Sequence, residues 1–209
     1  MPASMIIQRP SGIAGPLVLL FHGVGANAQN MAPVGQALAK ECPDAFIVSV
    51  DAAQACEIGA GRQWFSVRGV TEENRIARVE AAMPDFLAAI RRWQGEARVG
   101  VEATTVVGFS QGAIMALEST QRPPIGARRV IAIAGRFPQP PRVAPPATTL
   151  NLIHGEQDPV IPVGHSIDAA TRLQDLGADV TIDRIPMLGH GIDGRVLGRI
   201  FERTLPVGR

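Results

Sequence analysis

The sequence predicts an α/β fold: one mostly parallel sheet with helices on both faces, in a single domain over residues 1–209. Three observations carry that prediction. Short runs rich in Val, Ile and Leu alternate with helix-patterned segments, the order expected when crossover helices join parallel strands. Several of those runs are apolar at every position, which fits strands covered on both faces. A chain of 209 residues, 46% hydrophobic, can bury one sizeable core but does not divide comfortably into two domains.

Strands are expected at 4–8, 17–21, 45–50, 104–108, 129–134, 149–154 and 180–185, and helices at 28–40, 74–94, 111–121, 166–176 and 192–204. The second helix is the clearest. Its Ile76, Val79, Met83, Phe86, Ile90 and Trp93 recur at threes and fours and so form one apolar stripe for the core, with arginines mostly outside it. Pro84 removes a backbone donor inside this helix, so a kink is expected near 80–84. Two connections stand out. The loop 52–73, with Gly59, Gly61, Arg62, Trp64 and Phe65, is long for a small domain and reads as a wall of an active site. The run F-P-Q-P-P-R-V-A-P-P at 137–146 cannot be helical, so one crossover is expected to be extended chain.

Composition narrows the partners. Twenty basic against nineteen acidic residues leave a net charge of +1, and the basic residues are dispersed, which argues against nucleic acid. The most apolar stretch, Leu17–Phe21, is too short to span a bilayer, and residues 1–10 lack a cationic start followed by a long apolar run. A cytoplasmic location is the expectation. Cys42 and Cys56 form no metal-ligand spacing or disulfide framework and read as ordinary thiols.

Chemistry concentrates in a few places. Gly108-Phe109-Ser110-Gln111-Gly112 follows an apolar strand and opens a helix, the setting in which a strained turn presents a serine nucleophile. The motif alone is weak, and a serine at a helix start is often only an N-cap, so its placement carries the argument. A serine hydroxyl needs a base, and the base an orienting acid, in the chain order serine, acid, histidine. His190, between Gly189 and Gly191 after the last strand, is the first choice of base; His154 and His165 are alternatives. Asp158, just past the carboxyl end of a strand, is the first choice of acid, with Glu156 the near alternative; Asp158-Pro159 could also simply start a turn. Backbone amides would stabilise the tetrahedral oxyanion: that of Gln111 at the helix N-terminus, and that of Val24 in the glycine-rich Phe21-His22-Gly23-Val24-Gly25.

With G-F-S-Q-G-A at 108–113, F-H-G-V-G at 21–25, H-G-E-Q-D-P-V-I-P at 154–162 and L-G-H at 188–190, the chain resembles the phospholipase/carboxylesterase family, which includes acyl-protein thioesterases. G-R-Q-W-F-S at 61–66 and T-E-E-N-R at 71–75 look more like its small bacterial esterase branch, the YpfH type. The resemblance covers nearly the whole chain. It implies a single-domain α/β-hydrolase fold without a large cap domain, a Ser110-Asp158-His190 triad, and oxyanion amides from Val24 and Gln111. Trp64 and Phe65, on the long loop, are the expected substrate contacts and with the proline-rich segment could line an acyl groove. Short to medium acyl esters or thioesters are the implied substrates, and no metal or organic cofactor is implied. The alternatives are a thioesterase or lysophospholipase for long acyl chains and, from another class, a non-catalytic binding module; oligomeric state is left open. Two positions depart from the family pattern. Ala26-Asn27 stands where aspartate often follows H-G-x-G, and W-F-S replaces W-F-D, which leaves open how the Val24 and Trp64 loops are anchored.

Overall fold

A computed structural model describes residues 4–12 and 15–204. The first half of the chain runs β1 (Met5–Gln8), β2 (Leu17–Phe21), α1 (Ala32–Glu41), β3 (Phe46–Val50), β4 (Gln54–Ala55), β5 (Arg62–Gln63) and α2 (Glu72–Ala97). The second half runs β6 (Thr104–Phe109), α3 (Gln111–Ser119), β7 (Arg129–Ile133), β8 (Thr149–Gly155), α4 (Gly164–Asp175), β9 (Val180–Ile185) and α5 (Gly194–Thr204). Seven strands make one sheet in the order β1-β3-β2-β6-β7-β8-β9, and only β1 runs antiparallel to its neighbour.

The uninterrupted apolar strands are explained by this layering. In β2, Leu17, Leu19 and Phe21 join the core beneath α2, α3 and α4, while Val18 and Leu20 join the core beneath α1 and α5. All five are fully buried, so a strand in the middle of the sheet has no polar face to show. The α2 stripe behaves as its spacing predicts: Val79, Met83, Phe86, Ile90 and Trp93 are buried, and Phe86 packs 4.4 Å from the Phe21 ring centroid. Among the described residues no helix is long and apolar enough to cross a membrane.

Two expectations change in detail, while helix α2 continues through Pro84. Glu80 and Pro84 both face solvent, where water can satisfy a carbonyl deprived of its intrahelical donor. Loop 52–73 is not structureless, because β4 and β5 pair as a small antiparallel hairpin inside it. Strands of two residues are too short to leave an alternating pattern, so this hairpin had no sequence signal. Residues 28–31 form a 3₁₀ turn ahead of α1, capped by Asn27, and Pro33 then sits in the first turn of the helix.

The proline-rich crossover from β7 to β8 contains no helix, as its composition requires, and is held by side chains of α3 and the turn after it. Gln121 accepts from the amides of Arg142 and Val143 and donates to the Val143 carbonyl. Buried Glu118 accepts from Arg142 at 2.6 Å. These bonds replace the backbone ladder that a helix would have supplied.

The β6-to-α3 turn has no room for side chains at its two glycines. A Cβ on Gly108 would sit 2.5 Å from the Gly112 carbonyl oxygen, and one on Gly112 would run into the Phe21 carbonyl and lie 2.7 Å from that of His22. Helix α3 therefore rests directly on backbone of the chain leaving β2. Gly112→Ala is expected to cost about 1–3 kcal/mol through overpacking, read as a lower urea midpoint at unchanged slope. An unchanged midpoint would show that α3 can slide away from β2.

Candidate active site

Ser110 ends the β6-to-α3 turn at φ 52, ψ −115, a region that L-residues other than glycine rarely occupy. The conformation is held by bonds on both sides: its amide donates to the Ile133 carbonyl at 2.9 Å and its carbonyl accepts from Ile114 at 3.0 Å. Its side chain makes no capping bond to α3, which removes the N-cap reading. The hydroxyl, on a residue only 7% exposed, instead lies 2.9 Å from His190 Nε2.

His190 arrives on the loop after β9 and Asp158 on the loop after β8, both strands ending on the same edge of the sheet as β6. His190 Nδ1 lies 2.7 Å from Asp158 Oδ2. An ionised carboxylate only accepts, so the Nδ1 nitrogen carries the proton and Nε2 presents a lone pair to the Ser110 hydroxyl. Phe109, 5.1 Å between ring centroids, packs beside the imidazole. Asp158 also starts a turn: its Oδ1 accepts from Val160 at 2.8 Å and Ile161 at 2.9 Å. One oxygen thus serves the turn and the other faces the imidazole. Burial alone pushes this carboxyl up, but the bonds from His190 and the amides of Ile161 and Val160 outweigh it and hold it below the usual carboxylate value.

The alternatives have other hydrogen-bond partners or positions. Glu156 is engaged by Arg184 at 2.6 and 3.0 Å. His165 sits in the first turn of α4 and lines a separate cleft with Phe137 and Arg172. His154 is fully enclosed, with Nε2 donating to the Ile161 carbonyl at 2.8 Å and Nδ1 2.7 Å from the Ser166 hydroxyl.

Val24 and Gln111 sit on the chain leaving β2 and at the start of α3, two neighbouring strands' ends, and among the described residues neither backbone N–H has a backbone acceptor in the loops and caps. The Val24 loop is anchored without an aspartate at position 26. Gly25 donates to the Arg62 carbonyl at 2.9 Å and Arg62 to the Ala26 carbonyl at 2.7 Å, so loop 52–73 holds it by backbone pairing. His22, to which the sequence pattern assigns no role, fixes it from below. Its Nδ1 donates to the Gly23 carbonyl at 2.7 Å and its Nε2 accepts from Ala52 at 3.1 Å. The Gly23 carbonyl and the Val24 N–H belong to one planar peptide, so anchoring the oxygen aims the hydrogen.

Trp64 and Phe65 are almost fully buried, at 5% and 3% exposure. Trp64 Nε1 donates to the His22 carbonyl at 2.8 Å, and its ring packs against Phe21 and Phe86. The Gln111 side chain closes the assembly, accepting from the Trp64 amide at 2.8 Å and donating to the Phe65 carbonyl at 2.7 Å. Ser66, at the departure from the family pattern, donates to Glu57 across the hairpin. The roles of His22 and of the Gln111 side chain depend on contacts 30 and 46–47 residues away, which no local pattern announces.

Gln111→Ala would strand two buried backbone groups, and a loss of roughly 2–4 kcal/mol is expected, seen as a lower urea midpoint by tryptophan fluorescence; an unchanged midpoint would mean the Trp64 loop finds other partners. Acidity provides a second test. Burial pushes the His22 and His154 imidazoles below their ordinary value, against the opposing pull of the carbonyls of Gly23 and Ile161. Below about pH 6.5 the unfolded chain takes up protons that these folded rings refuse. Stability is therefore expected to fall from pH 7.5 to 5.5, and a level or rising urea midpoint over that interval would contradict the assignment of both rings as neutral.

Comparison with known proteins agrees with this architecture. The profile of the phospholipase/carboxylesterase family matches residues 2–204. Esterase YpfH of Escherichia coli (strain K12) is 50% identical over 190 residues, covering 91% of this chain and 82% of that one. The crystal structure of esterase PE8 is similar at TM-score 0.85 and 30% identity, covering 96% of this chain and 95% of the other. The Bacillus cereus carboxylesterase, at 16% identity and TM-score 0.81 over 97% of this chain and 92% of its own, adds likeness of fold alone. With a profile spanning nearly all of its length and a relative identical at half of the compared positions, this chain belongs to the phospholipase/carboxylesterase family.

Proposed function

We propose that the protein is a serine carboxylesterase for short to medium acyl esters, working through an acyl-enzyme on Ser110. One observation carries this reading: a continuous hydrogen-bonded series from the Ser110 hydroxyl through His190 to Asp158, at 2.9 and 2.7 Å. Ser110 Oγ attacks the acyl carbonyl as His190 Nε2 takes its proton, and Asp158 balances the imidazolium without becoming protonated. The oxyanion is received by the N–H groups of Val24 and Gln111, already fixed in direction and therefore strengthening only as charge develops. His190 returns the proton to the leaving oxygen, and a water activated by the same imidazole then hydrolyses the acyl-enzyme. Esterase activity in relatives named for it supports the reaction class.

Trp64 and Phe65 form the floor of the acyl site in this proposal, since their burial leaves little ring surface to act as an open wall. The reaction as drawn uses no metal or organic cofactor, and the substrate is a small acyl ester met in the cytoplasm by the single domain 1–209. A second reading, a thioesterase or lysophospholipase for longer chains, is favoured by one feature. A cleft of about 350 Å³ lies between α2, the proline-rich segment and α4, with Ile76, Phe137, Pro138 and Ala169 as apolar lining.

Ser110→Ala and His190→Ala are each expected to lower kcat by about 10⁴-fold or more, because members of such a unit fail together; a loss under about tenfold at either residue would remove it from the proposal. A fluorophosphonate probe should label the native protein and not Ser110→Ala, and no native labelling would favour a non-catalytic binding module. On acidification kcat/KM should fall as the base is protonated, whereas a flat profile from about pH 5 to 9 would exclude His190 as that base. A nitrophenyl ester series separates the two substrate readings: activity peaking at short acyl chains supports the first, and activity rising steadily with length the second.

A further inference from the structure

The buried imidazole of His154 has no part in the chemistry above, yet it lies against the same carboxylate oxygen that His190 uses. Its Nε2 is 3.2 Å from Asp158 Oδ2, while His190 Nδ1 approaches that oxygen at 2.7 Å. Both the His154 and Asp158 side chains are sealed from solvent. The Ile161 carbonyl, which can only accept, receives the Nε2 hydrogen at 2.8 Å. Nδ1 lies 2.7 Å from the Ser166 hydroxyl, which donates to it when the ring is neutral. Burial favours that neutral ring, and its Nε2–H edge faces Asp158.

Resting on the proposed roles of Ser110, His190 and Asp158, we infer that His154 is a positioning residue for the site: a neutral imidazole whose N–H shares the negative charge of Asp158 and fixes the Ile161 turn. The fixing is direct. Ile161 donates its amide to Asp158 Oδ1 at 2.9 Å and gives its carbonyl to His154, so one residue ties both groups together. The sharing of charge follows from electrostatics. In an enclosed site a carboxylate satisfied by several donors has less charge left for any one of them. The ionisable groups facing Asp158 are His190, from the loop after β9, and His154, from β8; those facing His154 are Asp158 and His190. Burial keeps the His154 ring below the ordinary imidazole value, consistent with its staying neutral while the site works.

Removing the N–H concentrates the charge of Asp158 on His190 and favours the protonated base. In His154→Phe, the acid limb of kcat/KM is expected to move to higher pH by about half a unit, which lowers the rate on that limb up to about threefold relative to native when each profile is scaled to its own plateau. In His154→Gln, whose amide N–H can stand where the imidazole Nε2–H stood, the limb is expected to stay at its native position. A purely structural role would lower the rate without moving the limb. A limb that stays in place in the Phe variant, or moves equally in both, overturns the inference. Imidazole ¹⁵N shifts of the native protein provide a test independent of any variant's folding: a neutral Nε2–H tautomer at His154 from pH 5 to 8 supports it, and an Nδ1–H tautomer or a charged ring overturns it. Failure of the underlying assignment is separately visible, as a native protein with no acid limb or a Ser110→Ala variant that keeps its activity.

Discussion

A single residue with a left-handed φ, Ser110 at φ 52 and ψ −115, sets the geometry on which the candidate site depends. Such a conformation costs of order 1–3 kcal/mol for a residue with a Cβ, and it persists only where the surroundings over-determine it. Here the surroundings are a strand–helix joint with no slack: two glycines where side chains would collide with backbone, an amide locked to β7, and a helix resting on the end of β2. The consequence is a hydroxyl lifted off the sheet edge toward the loop after β9 and a helix N-terminus brought close to the loop after β2. Loosening that joint would disturb the Ser110–His190 contact and the placing of the Gln111 and Val24 amides together.

Around this joint the polar groups are arranged to be satisfied without being charged. Three histidines occupy different depths of the same edge, and each has its ring hydrogens settled by its partners. The Gly23 and Ile161 carbonyls accept from His22 and His154, and Asp158 accepts from His190. In the first two, burial keeps the ring neutral against the pull of its carbonyl acceptor, so it acts as a bracket for a loop. In the third, a carboxylate stands where a carbonyl stands in the others, and the ring is partly open to solvent.

The two loops that depart from the family pattern illustrate the redundancy of such packing. Where an aspartate often follows the H-G-x-G stretch, this chain uses paired backbone bonds between residues 25–26 and Arg62. Where W-F-D is usual, Ser66 reaches Glu57 across the hairpin. The first pair of bonds holds the chain bearing Val24 against loop 52–73, and the second closes that loop on itself.

The sequence by itself determined the features that periodicity and steric exclusion dictate. Apolar runs without alternation marked strands covered on both sides, threes and fours marked the α2 stripe, the prolines of 137–146 excluded a helix, and the strand-turn-helix setting singled out Ser110. Those are local constraints, written within a few residues of one another. Tertiary structure decided everything that depends on residues far apart in the chain: which histidine reaches the serine, that Glu156 belongs to Arg184, that His22 and Gln111 brace opposite sides of one loop, and that a hairpin of two-residue strands organises loop 52–73. Three histidines after Ser110 are alike as side chains. They differ only in the acceptors that folding sets beside them, and a chain order carries no record of those distances.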